Sequence, residues 1–109
     1  MDPILERYQA LEEHVKAYSP NVNTQKLFEA FSYADNAHSG QLRKSGEPYI
    51  IHPLAVAEIV AELELDLDSI IAALLHDVIE DTGVSHEEIA KQFSPAVADL
   101  VEGVTKLTR

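Results

Sequence analysis

Apolar residues recur along this chain at helical three-and-four spacing, in six stretches separated by polar or proline-containing breaks. Ile4, Leu5, Tyr8, Leu11 and Val15 share one face of a first helix. Asp2 and Pro3 open it as N-cap and first helical residue, and Ser19-Pro20-Asn21 closes it near Tyr18. A second helix starts at Asn23 or Thr24, carries Leu27, Phe28, Phe31, Ala34 and His38 on one stripe, and stops at Gly40. His52-Pro53 opens a third, with Leu54, Val56, Ala57, Ile59, Val60 and Leu63 apolar. A fourth is capped by Asp66 or Asp68 and runs to about Asp81-Thr82-Gly83. Ser85-His86-Glu87-Glu88 has the capping-box pattern of a short fifth helix. Ser94-Pro95 starts a sixth, with Val97, Leu100, Val101 and Val104 on one face. No convincing strand signal is present. The pattern predicts an all-α protein, a compact bundle of about six helices.

The fourth helix departs from a simple division into core face and solvent face. Ile71, Leu74, Leu75 and Val78 form its stripe, yet Ile70 and Ala73 lie on the opposite side, so its first half is apolar all round and therefore buried. Its second half carries His76, Asp77, Glu80 and Asp81 away from the stripe, with His76 over Glu80 and Asp77 over Asp81 at i, i+4. Three carboxylates and an imidazole beside a buried surface need a cation or hydrogen-bond partners. That favours a metal or catalytic site over a solvated helix face. His38 continues an apolar stripe and reads as a structural histidine.

Between the second and third helices, Gln41 to Ile51 holds a glycine, a proline and the adjacent pair Arg43-Lys44. Its composition excludes a helix or a long strand. The pair gains interest from the rest of the chain, whose 109 residues carry a formal charge of −11. Such an acidic protein is a poor non-specific binder of nucleic acid or anionic membrane, so a local basic spot beside Ser45-Gly46 is a candidate phosphate or base contact. Solvated loop charges are the alternative. The length suits one domain or part of one. Absence of cysteine excludes disulfides and thiolate metal sites. The acidic first residues do not form a signal peptide, and no apolar run reaches membrane-spanning length, so the expectation is a soluble cytoplasmic protein.

His52, His76 and Asp77 together make a mixed nitrogen and oxygen ligand set suited to Mn²⁺, Fe²⁺, Co²⁺, Ni²⁺ or Zn²⁺. Three protein ligands leave open positions for water and substrate, and Glu80 and Asp81, one turn on, are placed to orient that water or move a proton.

Three segments carry a family resemblance: Arg43-Lys44-Ser45-Gly46-Glu47-Pro48-Tyr49-Ile50-Ile51-His52-Pro53, Ala72-Ala73-Leu74-Leu75-His76-Asp77-Val78-Ile79-Glu80-Asp81-Thr82, and Gly103-Val104-Thr105-Lys106-Leu107. Over roughly Ala37 to the end, the chain resembles the N-terminal HD hydrolase domain of the long Rel/SpoT alarmone enzymes. The resemblance implies an enzyme that hydrolyses (p)ppGpp at its 3′-pyrophosphate with Mn²⁺, giving GDP or GTP and pyrophosphate in the stringent response. It implies His52, His76 and Asp77 as metal ligands and Glu80 and Asp81 as the acid pair acting on the attacking water. It further implies Arg43, Lys44 and Ser45 as guanine contacts, with Tyr49 lining the same pocket. The family's fourth ligand is an Asp in a later segment that this sequence does not reach. Residues 1–109 therefore read as the N-terminal part of an HD-type phosphohydrolase domain, incomplete at its C-terminus. Weak metal binding, little hydrolysis and self-association through exposed apolar surface are expected. An HD phosphohydrolase for another nucleotide and a non-catalytic helical interaction module are the other readings.

Overall fold

The computed structural model describes residues 3–42 and 44–107, without the side chains of Glu80, Asp81 and residues 104–107. The expected roles of Asp2, Arg43, Glu80, Asp81 and Val104 fall outside what is described. The helices are α1 (Pro3–Tyr18), α2 (Thr24–Ala37), α3 (Ile51–Glu62), α4 (Leu67–Leu75), α5 (Val78–Thr82), α6 (His86–Gln92) and α7 (Pro95–Leu107). Among the described residues the one extended pairing is an isolated antiparallel bridge between Leu42 and Pro48. The architecture is all-α, and no helix among these residues is long and apolar enough to cross a membrane.

Helix α4 is the hub. It packs against α2, α3 and α7, while α1 lies on α3 and α6 on α7. Every residue from Ile70 to Leu75 is at most 2% exposed, as a helix apolar on all sides requires. Tyr8, Leu11 and Val15 from α1, Leu27 and Phe31 from α2, Leu54 from α3, and Val97 and Val101 from α7 complete the core. The radius of gyration is 12.9 Å, matching the roughly 13 Å of a well-packed domain of this length.

Several helix ends follow from local chemistry. Asn23 Oδ1 accepts from the Lys26 amide at 3.1 Å, Ser85 Oγ from the Glu88 amide at 3.2 Å and Ser94 Oγ from the Val97 amide at 3.1 Å, each satisfying a first-turn donor. Asp66 is the N-cap of α4, but its carboxylate accepts the Ser69 hydroxyl instead of a backbone amide. Helix α3 begins two residues before Pro53, which still lies in the first turn, where a missing N–H breaks no helical bond.

The main departure from the sequence expectation is in the central helix, which is two helices. The ladder lapses at His76-Asp77, where Asp77 has φ −92° and ψ −7°, and resumes at Val78. Helix α5 then ends at Gly83, whose φ of +78° is a left-handed conformation that favours glycine. Some apolar positions also lie outside the core: Phe28, Ile59, Leu63, Leu65 and Leu100 are between 39% and 66% exposed. Leu65 and Leu100 border an apolar cleft of about 180 Å³ that also includes Val56, Val60 and Ala72.

Candidate metal centre

The break in the central helix falls at His76-Asp77, the middle of the candidate site. Helix α4 ends at Leu75, and carbonyls in a helix's last turn are open to side-chain partners. The Ala73 carbonyl meets His76 Nδ1 at 2.7 Å. A carbonyl only accepts, so Nδ1 carries the proton and the lone pair of the imidazole lies on Nε2. That nitrogen points at Asp77: His76 Nε2 is 3.2 Å from Asp77 Oδ2. From the first turn of α3, His52 Nε2 comes within 3.3 Å of the same oxygen. The His76 side chain is 4% exposed, Asp77 14% and His52 34%, so the cluster has a closed floor and one open side.

These spacings suit a divalent cation. Ligand atoms each about 2.1 Å from one ion stand roughly 3.0 Å apart at a right angle and roughly 3.4 Å apart at the tetrahedral angle. The observed 3.2 Å and 3.3 Å fall between. The donor chemistry agrees, since two imidazoles and a carboxylate suit borderline ions. His52, His76 and Asp77, the residues expected as metal ligands, are thus brought together as a group that could hold an ion.

The loop expected to read a nucleotide lies beside this group. Its base is tied by the Leu42–Pro48 bridge and by the Tyr49 amide donating to the Gln41 carbonyl at 3.0 Å. Gly46, at φ +89°, turns the chain at its tip. Leu42, Lys44, Ser45, Glu47 and Tyr49 line an open cleft of about 600 Å³, which brings Lys44, Ser45 and Tyr49 together. Tyr49 belongs to both places, because its phenol donates to Asp77 Oδ2 at 3.0 Å. Sequence reasoning missed that bond, the Ala73 carbonyl behind His76, and Glu47, whose carboxylate accepts the Ser45 hydroxyl at 3.2 Å. Only the helical i−3 spacing of Ala73 from His76 was available as a signal. His38, read as structural, is buried, with Nδ1 2.8 Å from Gln41 Oε1, and packs on the Tyr49 ring.

A second cluster joins α6 to α7. His86 Nε2 lies 3.1 Å from Asp99 Oδ1 and 3.6 Å from Glu102 Oε2, but the three side chains are 40%, 75% and 51% exposed. Open to water, this cluster is a clasp between helices.

Residues 30–109 match the HD domain family. The chain is 48% identical over 109 residues, its whole length, to a protein of Mycobacterium leprae named probable GTP pyrophosphokinase. It is 47% identical over 102 residues, 94% of its length, to the bifunctional (p)ppGpp synthase/hydrolase SpoT of Escherichia coli K12. The same figures hold for the guanosine-3′,5′-bis(diphosphate) 3′-pyrophosphohydrolase of Vibrio cholerae. In each case the chain spans 14% of the relative's length. By the match over residues 30–109, with His76-Asp77 at the centre of its candidate ion site, the chain belongs to the HD domain family.

Proposed function

We propose that this chain is part of an HD-type metal-dependent phosphohydrolase domain, spanning residues 1–109, that hydrolyses (p)ppGpp at the 3′-pyrophosphate. The observation that carries the proposal is the convergence of His52 Nε2 and His76 Nε2 on Asp77 Oδ2, beside a cleft lined by Lys44 and Ser45. The 3′-pyrophosphohydrolase name of one relative and the synthase/hydrolase name of another support the substrate. His52, His76 and Asp77 hold the ion, and Mn²⁺ is the ion proposed. When bound, the ion supplies positive charge against the phosphates and makes water more acidic near neutral pH.

The chain's own residues do the rest. Lys44 and Ser45, with Arg43, take the guanine end of the nucleotide on the loop. Glu80 and Asp81, three and four residues after Asp77 in α5, are assigned to orient the attacking water and accept its proton. Water adds to the phosphorus attached to O3′, that P–O bond breaks, the proton goes to O3′, and GDP or GTP leaves with pyrophosphate. The Nδ1–H of His76, held by the Ala73 carbonyl, keeps the imidazole aimed at the ion. The setting proposed is the cytoplasm.

The test is ppGpp hydrolysis with Mn²⁺, following pyrophosphate release. Slow turnover is expected from this chain, abolished in Asp77→Ala. Faster turnover is expected when the chain is extended by residues that follow the matched region in the longer relatives. If neither form hydrolyses ppGpp but both turn over another nucleotide, the substrate assignment fails. If neither binds metal or acts on any phosphoester, the reading becomes a helical interaction module. The exposed Ile59, Leu63, Leu65 and Leu100, of which Leu65 and Leu100 border the apolar cleft, support self-association as part of the same proposal. Light scattering that reports a monomer at all concentrations overturns that part.

A further inference from the structure

Tyr49 enters the proposed site as a wall of the nucleotide cleft, yet its hydroxyl is engaged elsewhere. It donates to Asp77 Oδ2 at 3.0 Å, the same oxygen that both imidazoles approach. A carboxylate on a two-bond stem rotates easily, and an ion ligand has to present one oxygen in one direction. The neighbouring backbone does not supply that restraint: Asp77 is the N-cap of α5, but its side chain makes no capping hydrogen bond.

The tyrosine is itself braced. Its ring centroid is 4.7 Å from that of buried His38, tilted by 32°, and 5.9 Å from that of His52 at 71°. His38 Nδ1 is 2.8 Å from Gln41 Oε1, and the Gln41 carbonyl accepts the Tyr49 amide at 3.0 Å. One end of the loop, the ring of a core histidine and one ion ligand thus share a single side chain.

We infer that Tyr49 is a positioning residue of the ion site: its phenol fixes the carboxylate of Asp77 and so sets the affinity for a divalent cation. This inference rests on the proposed ion-holding role of His52, His76 and Asp77 and adds a residue assigned so far to the nucleotide alone. Hydrogen-bond partners of metal ligands govern ligand orientation, and their loss costs about 10- to 100-fold in affinity. Tyr49→Phe keeps the ring and its packing and removes only the hydroxyl, so it isolates that bond.

The experiment measures Mn²⁺ affinity by the electron paramagnetic resonance signal of the free ion, in the unaltered chain and three variants. Tyr18→Phe is the matched control: it also loses one phenolic hydrogen bond, to the Leu65 carbonyl at 2.8 Å, at another place in the fold. Asp77→Ala reports whether the site is the one proposed. The expected result is a dissociation constant raised about ten-fold in Tyr49→Phe, unchanged in Tyr18→Phe, and too weak to measure in Asp77→Ala. Residual hydrolysis by Tyr49→Phe is expected to recover at higher Mn²⁺. A phenol that contacts only nucleotide would instead raise KM and leave the Mn²⁺ requirement alone. An Mn²⁺ constant within two-fold of the unaltered chain in Tyr49→Phe, with Asp77→Ala still abolishing binding, overturns the inference and leaves the site standing. Binding that survives in Asp77→Ala, or an unaltered chain that binds no Mn²⁺, overturns the site reading and this inference with it.

Discussion

Among the described residues, two clusters of three join histidine to carboxylate closely enough to hold an ion, and their distances barely differ. His76 and His52 stand 3.2 Å and 3.3 Å from Asp77, and His86 stands 3.1 Å from Asp99. What separates them is how each group is held. His76 is nearly sealed, its second nitrogen fixed by the Ala73 carbonyl, and Asp77 takes a tyrosine hydroxyl. In the other cluster the carboxylates are on successive turns of an exposed helix face, at 75% and 51% exposure, where water competes for every lone pair. Equal distances therefore carry unequal chemistry. Ligands that have already lost their freedom hold an ion better than exposed ones, which give up that entropy only when the ion arrives.

The largest effect that tests this contrast is on cation affinity. His76→Ala or Asp77→Ala is expected to weaken Mn²⁺ binding by more than about 100-fold, beyond the loss of a mere supporting contact. His86→Ala is expected to leave the constant unchanged. Titration by electron paramagnetic resonance reads both, and equal losses from the two clusters would erase the distinction.

A smaller effect concerns a third place where burial governs an ionisable group. Tyr8 is buried and donates to Glu12 Oε1 at 2.9 Å. Burial raises its pKa first, the hydrogen bond to Glu12 next, and the negative charge of Glu12 last. The folded phenol stays neutral while the unfolded one ionises near its ordinary value of about 10. Stability from this group is complete below that pH and falls as pH rises above it, by up to about 1.4 kcal/mol per unit. Urea denaturation between pH 9 and 11 is expected to show that slope in the unaltered chain and a shallower one in Tyr8→Phe.

The smallest effect belongs to the clasp itself. His86→Ala is expected to lower stability by less than about 1 kcal/mol, with any loss shrinking in high salt. A loss of several kcal/mol would mean that α6 and α7 depend on this cluster far more than its exposure suggests.

Much of this contrast was legible in the order of residues. The apolar surround of Ile70 and Ala73 already required a buried α4, so His76-Asp77 had to stand next to a core. Asn23 and Ser85 announced their helices because short polar side chains bond first-turn amides. The break at His76-Asp77 was not legible, because both residues keep right-handed dihedrals and no glycine or proline marks it. The bond from Tyr49 to Asp77 joins residues 28 positions apart, beyond anything local periodicity encodes. The apolar Leu63 and Ile59 are mostly exposed, since spacing along one helix does not say how many neighbours will cover it.

The central claim is that His52, His76 and Asp77 hold one cation. Crystals soaked in Mn²⁺ and measured at the manganese absorption edge test it most directly. The expected result is one strong anomalous peak about 2.1 Å from Nε2 of both histidines and from a carboxylate oxygen of Asp77. A peak beside His86 with none at His76, or no peak at saturating Mn²⁺, would contradict it.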